Sequence, residues 1–425
     1  MTDAPIARLT LLNETLELPV VIGTEDEHAV DISKLRGNTG YITLDEGYGN
    51  TGSCKSGITF INGEKGMLRY RGYPIEQLAE KSNFIETAYL LIHGQLPTVN
   101  QLTDFQKKID DNAHLDPNLL NVYKGFTRTA HPMAMLSSMF NAGGCYHPDI
   151  MDTDTDLVTI AAKLIAKTST IAAANYRHMN GQEVVAPLDD ADYAENLLHM
   201  MFGQGKKSEV DPDHIEIMNK ILILHADHEQ NCSTSTVRMV ASSGANMFTS
   251  CSAGVSALWG WRHGGANVAV LNMLEELDRN KVDYKDFMEK VKNKEAKLMG
   301  FGHRVYKSFD PRASILKTSA DTILAKLNVS DPLLDMARRL EEVALEDSYF
   351  KDRNLYPNVD FYSGIIMRAM GIPVEMFTVM FAVGRMPGWV AHFKEMVENP
   401  AIRISRPRQV YTGSTSRDYI SVDNR

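Results

Sequence analysis

Two histidines in this chain stand against glycine, and an aspartate follows them downstream. The segments are Trp261-Arg262-His263-Gly264-Gly265-Ala266-Asn267, Gly300-Phe301-Gly302-His303-Arg304 and Asn358-Val359-Asp360-Phe361-Tyr362-Ser363-Gly364. Glycine has no Cβ, so a backbone or a bulky ligand can come close beside each imidazole. Two imidazoles and one carboxylate supply two polarising groups and a base, the set that proton abstraction next to a carbonyl requires. His263 lies just before Ala266 through Leu277, a run rich in helix formers. An imidazole at a helix N-terminus resists protonation and can donate, as a neutral group, to a developing oxyanion. A capping or turn histidine fits the same position. Asp360 precedes an apolar-periodic run, which is also the pattern of an ordinary N-cap.

Further groups suit a polar ligand. His225-Ala226-Asp227-His228-Glu229-Gln230-Asn231 puts two histidines three apart, a spacing that shares one helical face and suits a metal pair, a polar ligand or a hydrogen-bonded core. The four-residue spacing of a zincin is absent. His303 opens a cationic stretch with Arg304, Lys307 and Arg312, although a solvated charged face accounts for any one of these cations taken singly. Arg403, Arg406 and Arg408 crowd one segment near the C-terminus. Together with Arg312 and Arg385 they can neutralise a small polycarboxylate, because guanidinium forks match carboxylates. Gly300-Phe301-Gly302 lacks the rest of a dinucleotide fingerprint, but amides freed by glycine suit phosphate or thioester groups.

The elements that must position these residues are mainly helical. Up to about Lys65 the chain reads as short strands and turns: Leu9 to Leu12 and Leu16 to Ile22 have β-type content, and Asn62-Gly63 signals a turn. From Tyr73 the periodicity becomes helical. Asp211-Pro212 is an N-cap followed by proline at the first helical position, and its apolar set (Ile215, Met218, Ile221, Leu222, Ile223) carries the helix to His225 and His228. Asp310-Pro311, Asp331-Pro332 and Ile372-Pro373 predict further helix starts. No second strand-rich block, internal repeat or low-complexity linker is present, so a parallel nucleotide-binding sheet is not expected and any domain boundary is a hinge within packed helices.

Composition narrows the partners. The chain has 425 residues, 44% hydrophobic and 23% charged, with 44 basic against 54 acidic side chains and a net charge of −10. A nucleic-acid binder normally shows a basic surplus, so that class is disfavoured, and an anionic ligand must be met by a local cluster of cations. Cys54, Cys145, Cys232 and Cys251 lie far apart without CxxC spacing, which indicates neither a zinc site nor a disulfide framework. The acidic start, Met1-Thr2-Asp3-Ala4-Pro5, has no apolar signal region. The longest mildly apolar stretch, near Ala245 to Trp261, is studded with Asn, Thr, Ser and Gly, and reads as a helix packed through small residues rather than a membrane span. A reducing cytoplasm is the expected compartment.

Taken together, the motifs resemble the citrate synthase family. They are His225 to Asn231, Leu258-Trp259-Gly260 with His263-Gly264-Gly265-Ala266-Asn267, Gly300 to Lys307, Asp310-Pro311-Arg312-Ala313, Tyr356 to Gly364 and Arg406 to Gly413. The likeness runs from the early strands to Gly413, and the strand-rich start resembles the type II-like form of Gram-negative bacteria. It implies a mainly α fold with a β-rich segment at 1–65, a large helical domain at 66–262 and 376–425, and a small helical domain at 263–375, whose cleft closes over oxaloacetate. It implies His263, His303 and Asp360 as catalytic residues. His228, Arg312, Arg385 and Arg406 would hold oxaloacetate, with Arg406 supplied by the neighbouring subunit. Leu298, Met299, Gly300, Phe301, Gly302 and Lys307 would meet coenzyme A. The implied reaction condenses acetyl-CoA with oxaloacetate and hydrolyses citryl-CoA to citrate and CoA, the entry step of the tricarboxylic acid cycle, with no metal and no cofactor beyond the acetyl-CoA substrate. The alternative is 2-methylcitrate synthase, which accepts propionyl-CoA. The assembly implied is a homodimer at minimum, or a hexamer, acting without nucleic acid or membrane.

Members of the resembled type are often allosteric hexamers inhibited by NADH, at a site that includes a cysteine shortly before the His-Ala-Asp-His motif. Here the corresponding stretch, Met201 to Lys207, contains no cysteine, and Asp111-Asn112 occupies the place of an arginine-histidine pair. An aspartate repels a dinucleotide's phosphates. Weak or absent NADH inhibition is therefore expected, with Tyr146, Lys163 and Lys167 as the remaining contacts.

Overall fold

The computed structural model describes residues 5–12, 14–147, 156–204, 210–327 and 332–425, with backbone alone over 321–327. Its contacts group the chain into two units, one comprising residues up to Lys55 together with Ser405–Arg425, the other Ser56–Ile404.

In the first unit, strand Ile6–Leu11 pairs antiparallel with Glu14–Ile22, with Leu9 opposite Leu16, and His28–Val30 extends the sheet by pairing Val30 with Val20. Side chains of the first strand alternate between exposed and half-buried, as the period of two requires. A short helix, Leu35–Thr39, follows. The C-terminal segment is exposed along its length and ends in a 3-10 turn, Val422–Asn424.

The second unit opens with another antiparallel sheet, Thr59–Asn62, Met67–Tyr70 and Tyr73–Pro74. The Asn62-Gly63 turn signal sits in the hairpin between its first two strands. The strand-rich stretch thus forms two sheets and extends past Lys65 to Pro74.

Helices then account for most of the second unit. Asp211 accepts a hydrogen bond from the Asp213 N–H and starts helix Pro212–His225 with Pro212 at its first position. Asp310 plays the same part for Pro311–Leu327, accepting from the Arg312 N–H. Helix Pro332–Glu346 begins as the Asp-Pro signal predicts, although Asp331 lies outside the described residues. After Ile372-Pro373 a 3-10 turn, Val374–Met376, runs into helix Phe377–Val397.

Two expectations need correction. Helix Pro212–His225 stops at His225, so His228 lies beyond its end and the two histidines do not share a helical face. The longest apolar helix is Leu157–Met179, not the stretch near Ala245. It is long and apolar enough to cross a membrane by length and composition, yet 78% of its apolar window is buried inside the fold. A helix that is apolar all round is a core helix when other helices cover it. Leu157–Met179 packs against Val99–Asp110, Pro132–Gly144, Tyr193–Phe202 and Phe377–Val397. The Ala245 stretch forms helix Met247–Leu258, packed against Pro132–Gly144 and Cys232–Ala241, where Ser137 and Ser252 exchange a 2.9 Å hydroxyl contact.

Phe377–Val397 is the hub, touching Phe84–His93, Pro212–His225, Cys232–Ala241 and Met247–Leu258 as well. Pro387 inside it has no N–H to give the preceding turn. The next donor, the Gly388 N–H, leaves the helix to bind the Ala226 carbonyl at 3.1 Å. That bond ties the helix carrying Arg385 to the segment carrying His225 and His228.

Candidate active site

His263 sits in the turn between helices Met247–Leu258 and Ala266–Arg279. The turn is tight because Gly264 donates its N–H to the Leu258 carbonyl at 3.0 Å. A Cβ on Gly264 would lie 2.3 Å from that carbonyl oxygen, so only glycine closes this turn unstrained. The backbone that glycine admits is therefore the protein's own.

His263 Nε2 accepts the Ser233 N–H at 3.2 Å and lies 2.9 Å from the Ser233 hydroxyl. That hydroxyl donates its proton to Asn231 Oδ1 at 2.8 Å and accepts the Trp389 indole N–H at 3.2 Å. Nε2 is thus the acceptor nitrogen and Nδ1 carries the hydrogen. Ser233 stands in the first turn of helix Cys232–Ala241, so the helix N-terminus that disfavours a second proton belongs to that helix, not to Ala266–Arg279. Burial, with Arg385 adding to it, lowers the His263 pKa to about 4.

His303 is held in a parallel way. Its Nδ1 accepts the N–H groups of Val305 at 3.0 Å and Tyr306 at 3.3 Å, which leaves the hydrogen on Nε2. Burial first, then Arg312, lowers its pKa to about 4. Both imidazoles are accordingly neutral near pH 7, each with one nitrogen locked by backbone and one N–H to donate.

Asp360 lies in the first turn of helix Val359–Ala369, but it is not the cap. Asn358 takes that role, accepting the Asp360 N–H at 3.0 Å, and the aspartate carboxylate is spared. Burial raises the Asp360 pKa to about 6, against the opposing pull of Arg312 and Arg385. Asp360, His263 and His303 are all half-buried, so each keeps an open side.

The cations beneath them are fully buried. Arg385 donates Nε–H to the His225 carbonyl at 2.6 Å and lies 4.9 Å from the centre of the Phe381 ring, while its Nη1 has no hydrogen-bond partner. A buried guanidinium with an unmatched donor is poised for an incoming anion. Arg312 pairs with Asp310 through Nε at 3.0 Å and Nη2 at 2.9 Å. Asp310 also accepts the Val359 N–H at 3.1 Å, joining Arg312 to the start of the Asp360 helix. His228 is buried, its Nε2 3.3 Å from the Tyr306 hydroxyl and its ring centre 5.3 Å from that of His303. Burial and the neighbouring Arg312 hold it neutral.

His225 does not join this set. Its Nδ1–H donates to the Ile221 carbonyl at 2.7 Å, and burial lowers its pKa to about 3. Asp227 is paired with His392, Oδ1 to Nε2 at 3.3 Å, both fully buried. The metal reading of His225 and His228 thus loses its geometry, and among the described residues no cluster suited to a metal is present.

Leu298 and Gly300 are buried, while Met299, Phe301 and Gly302 are half-buried. Several of the amides and carbonyls expected to be available here are already engaged. The Met299 N–H meets Met273 Sδ at 3.3 Å, the Gly302 N–H donates to the Tyr356 carbonyl at 2.8 Å, and the Gly300 carbonyl accepts the Asn358 N–H at 2.9 Å. Lys307 is exposed, with Nζ 3.2 Å from the Arg304 carbonyl. Arg406 belongs to the first unit, in an exposed segment with neither helix nor strand.

Sequence reasoning gave no part in the site to Ser233, Asp310, Asn358 or Phe381. Asp310 and Asn358 stood inside quoted motifs, but their hydrogen bonds reach residues far off in the chain. Ser233 and Phe381 carried no local signal.

The structure therefore brings together a half-buried carboxyl of raised pKa, two neutral imidazoles and two buried guanidiniums, a set suited to carbon-acid chemistry on an anionic substrate. The family model described as "Citrate synthase, C-terminal domain" matches residues 47–408. "Citrate synthase 1" of Mycobacterium tuberculosis is 51% identical over 417 residues, 96% of each chain. "Citrate synthase" of Corynebacterium glutamicum is 48% identical over 430 residues, covering 100% of this chain and 98% of that one. The crystal structure of citrate synthase from Pyrobaculum aerophilum is 40% identical with a TM-score of 0.82, covering 89% of this chain and 95% of its own. A ternary complex of the Thermoplasma acidophilum citrate synthase with carboxymethyl coenzyme A and oxaloacetate has a TM-score of 0.81 at 31% identity, covering 90% and 99%. This chain belongs to the citrate synthase family.

Proposed function

We propose that the chain condenses acetyl-CoA with oxaloacetate and hydrolyses the citryl-CoA so formed to citrate and CoA, the entry step of the tricarboxylic acid cycle. The observation that carries this reading is a pair of neutral, tautomer-locked imidazoles and a carboxyl raised to about 6, joined electrostatically through Arg312 and Arg385. Asp360 takes a proton from the acetyl methyl group. The His263 Nδ1–H donates to the thioester oxygen as enolate charge develops there, and a preorganised donor in a dry site is worth more than one in water. The new carbon nucleophile attacks the oxaloacetate ketone, whose oxygen receives the His303 Nε2–H bond. Water then cleaves the citryl thioester and releases the thiol.

His228, Arg312 and Arg385 hold the oxaloacetate carboxylates, and the unmatched Nη1 of Arg385 is the donor that such a carboxylate would engage. Arg406 completes the site from the neighbouring subunit of a homodimer, which a hexamer would repeat. Residues 298–302 and Lys307 meet coenzyme A through the groups not engaged internally. The division into a large domain (66–262, 376–425) and a small one (263–375) belongs to the same reading. So does the type II-like subtype, which the strands Ile6–Leu11, Glu14–Ile22 and His28–Val30 support. The reaction asks for no metal or cofactor, and four cysteines far apart without CxxC spacing suit work in the cytoplasm.

Free-thiol detection with acetyl-CoA and oxaloacetate tests this directly. Thiol release that depends on both substrates is expected. Faster release from propionyl-CoA would move the assignment to 2-methylcitrate synthase, and no release from either would remove the reading.

A further inference from the structure

We infer that Asn358 is a positioning residue that sets the distance between Asp360 and His303, by clamping the loop before one onto the helix start of the other. The inference rests on the roles proposed above for those two side chains. Asn358 is buried, and three of its bonds join the two segments or cap the helix. Its Oδ1 accepts the Asp360 N–H at 3.0 Å and caps helix Val359–Ala369. Its own N–H donates to the Gly300 carbonyl at 2.9 Å, and its Nδ2–H donates to the Gly302 carbonyl, also at 2.9 Å. Gly302 is the residue immediately before His303, and it holds a left-handed φ of +74°. The side-chain amide therefore touches the peptide that aims His303 and the peptide that carries Asp360.

A cap alone does not ask for asparagine. Aspartate and serine cap about as well, because only an acceptor oxygen is needed. Aspartate has no hydrogen to give the Gly302 carbonyl, and serine has one oxygen, a bond nearer the backbone, to serve both partners. Asparagine, carrying acceptor and donor on one rigid amide, satisfies both sides at once. The two segments also meet without this side chain, through the Phe301–Pro357 bridge and the Phe301–Phe361 ring contact at 4.9 Å. Losing the Nδ2 arm should therefore leave the fold standing and let the His303 peptide turn.

The test uses the full chain with Asn358→Ser, Asn358→Asp and Asn358→Ala. Misplacement by an ångström costs on the order of 100-fold in rate, so kcat in Asn358→Ser should fall roughly 10- to 100-fold, with a thermal midpoint close to wild type and an unmoved acid limb. Asn358→Asp should lose as much, and its acid limb should move to higher pH because a second carboxylate now lies beside Asp360. Asn358→Ala, lacking the cap as well, should also melt earlier. Asn358→Ser with more than half the wild-type kcat would overturn the inference, as would a loss in all three variants that simply tracks the folded fraction. Crystal structures of wild type and Asn358→Asp supply a reading independent of turnover. The His303 ring should shift relative to Asp360, and an unchanged separation sinks the inference. Inactive wild-type protein would instead count against the proposed reaction.

Discussion

Asp360→Asn should abolish turnover and at the same time make the protein more stable. The amide keeps the shape of the side chain but cannot take a proton, and general-base assistance contributes about 10²- to 10⁴-fold. The stability gain follows from the cost of ionising the carboxyl where it sits. Its pKa stands at about 6 against an ordinary 3.8, chiefly because of burial. At about 1.36 kcal/mol for each tenfold change in acidity, the ionised form costs the fold at most about 3 kcal/mol. Solvent reaching the half-buried side chain reduces that figure. A folded pKa above the unfolded one means the cost is absent below about pH 4, grows between about 4 and 6, and is complete above 6. The variant should therefore gain most at pH 8 and roughly half as much at pH 5. With an unfolding entropy of about 2.1 cal/mol/K per residue, the gain at pH 8 is about 3 °C at most in the thermal midpoint. Thermal scans at both pH values, beside the free-thiol assay, check the two halves together. A midpoint unchanged or lowered at pH 8 would refute the desolvated carboxylate, and turnover within tenfold of wild type would refute the base.

Three further outcomes are expected. In wild type, kcat/KM should decline as pH falls through about 6, because Asp360 must be ionised to act and the two histidines, near 4, are already neutral there; a flat profile from pH 8 to 5 would contradict this. Micromolar NADH should not inhibit. Asp111 already binds Lys107 Nζ through both oxygens at 2.9 Å, and buried Lys167 donates to the carbonyls of Asn112 and His114 at 2.9 and 2.8 Å, although Gly205, Lys206 and Lys207 of the cysteine-free stretch lie outside the described residues. Saturable inhibition in a titration would overturn that. Finally, inactive Arg406→Ala and inactive Asp360→Asn subunits, denatured and reassociated together, should recover about a quarter of wild-type sites, since half the dimers then hold one good site. Tagged mixed dimers as inactive as their parents would show that Arg406 serves no partner.

Much of the fold was legible because its signals are local. Asp211-Pro212 and Asp310-Pro311 each place an acceptor and a donor-free residue where a helix must start, and both helices start there. The strands before Ile22 alternate as a half-covered sheet must. Legibility failed where tertiary context decides. Nothing within His225-Ala226-Asp227-His228 announces that the helix ends at its first residue, because the Ala226 carbonyl is claimed by Gly388, 162 residues away. Leu157–Met179 escaped notice as the longest apolar helix because Lys163, Lys167 and Arg177 interrupt its run. At least two of those cations are buried against carbonyl groups, Lys167 on Asn112 and His114, and Arg177 on Met200 and Gly203.

The residue types of the site were readable, but what fixes their protonation was not. His263 was placed at the start of Ala266–Arg279, and the idea of a neutral imidazole near a helix N-terminus came from that neighbour in sequence. The N–H that fixes its tautomer belongs to Ser233, 30 residues earlier, in the first turn of a different helix, while burial and Arg385 keep the ring neutral. Asp360 looked like a cap because a carboxylate before an apolar run usually is one. Two residues upstream, Asn358 does the capping, and this leaves the aspartate with a backbone bond but no obligation on its carboxylate. Each reactive group is thus held by neutral amide groups, backbone N–H for the two rings and the Asn358 side chain for the Asp360 N–H, rather than by a charged partner of its own. That choice has a chemical consequence. A charged partner would stabilise one protonation state strongly, whereas neutral amide dipoles orient a ring or a carboxylate and leave its proton free to move. A site that must lend and recover a proton within one turnover needs the second kind of support.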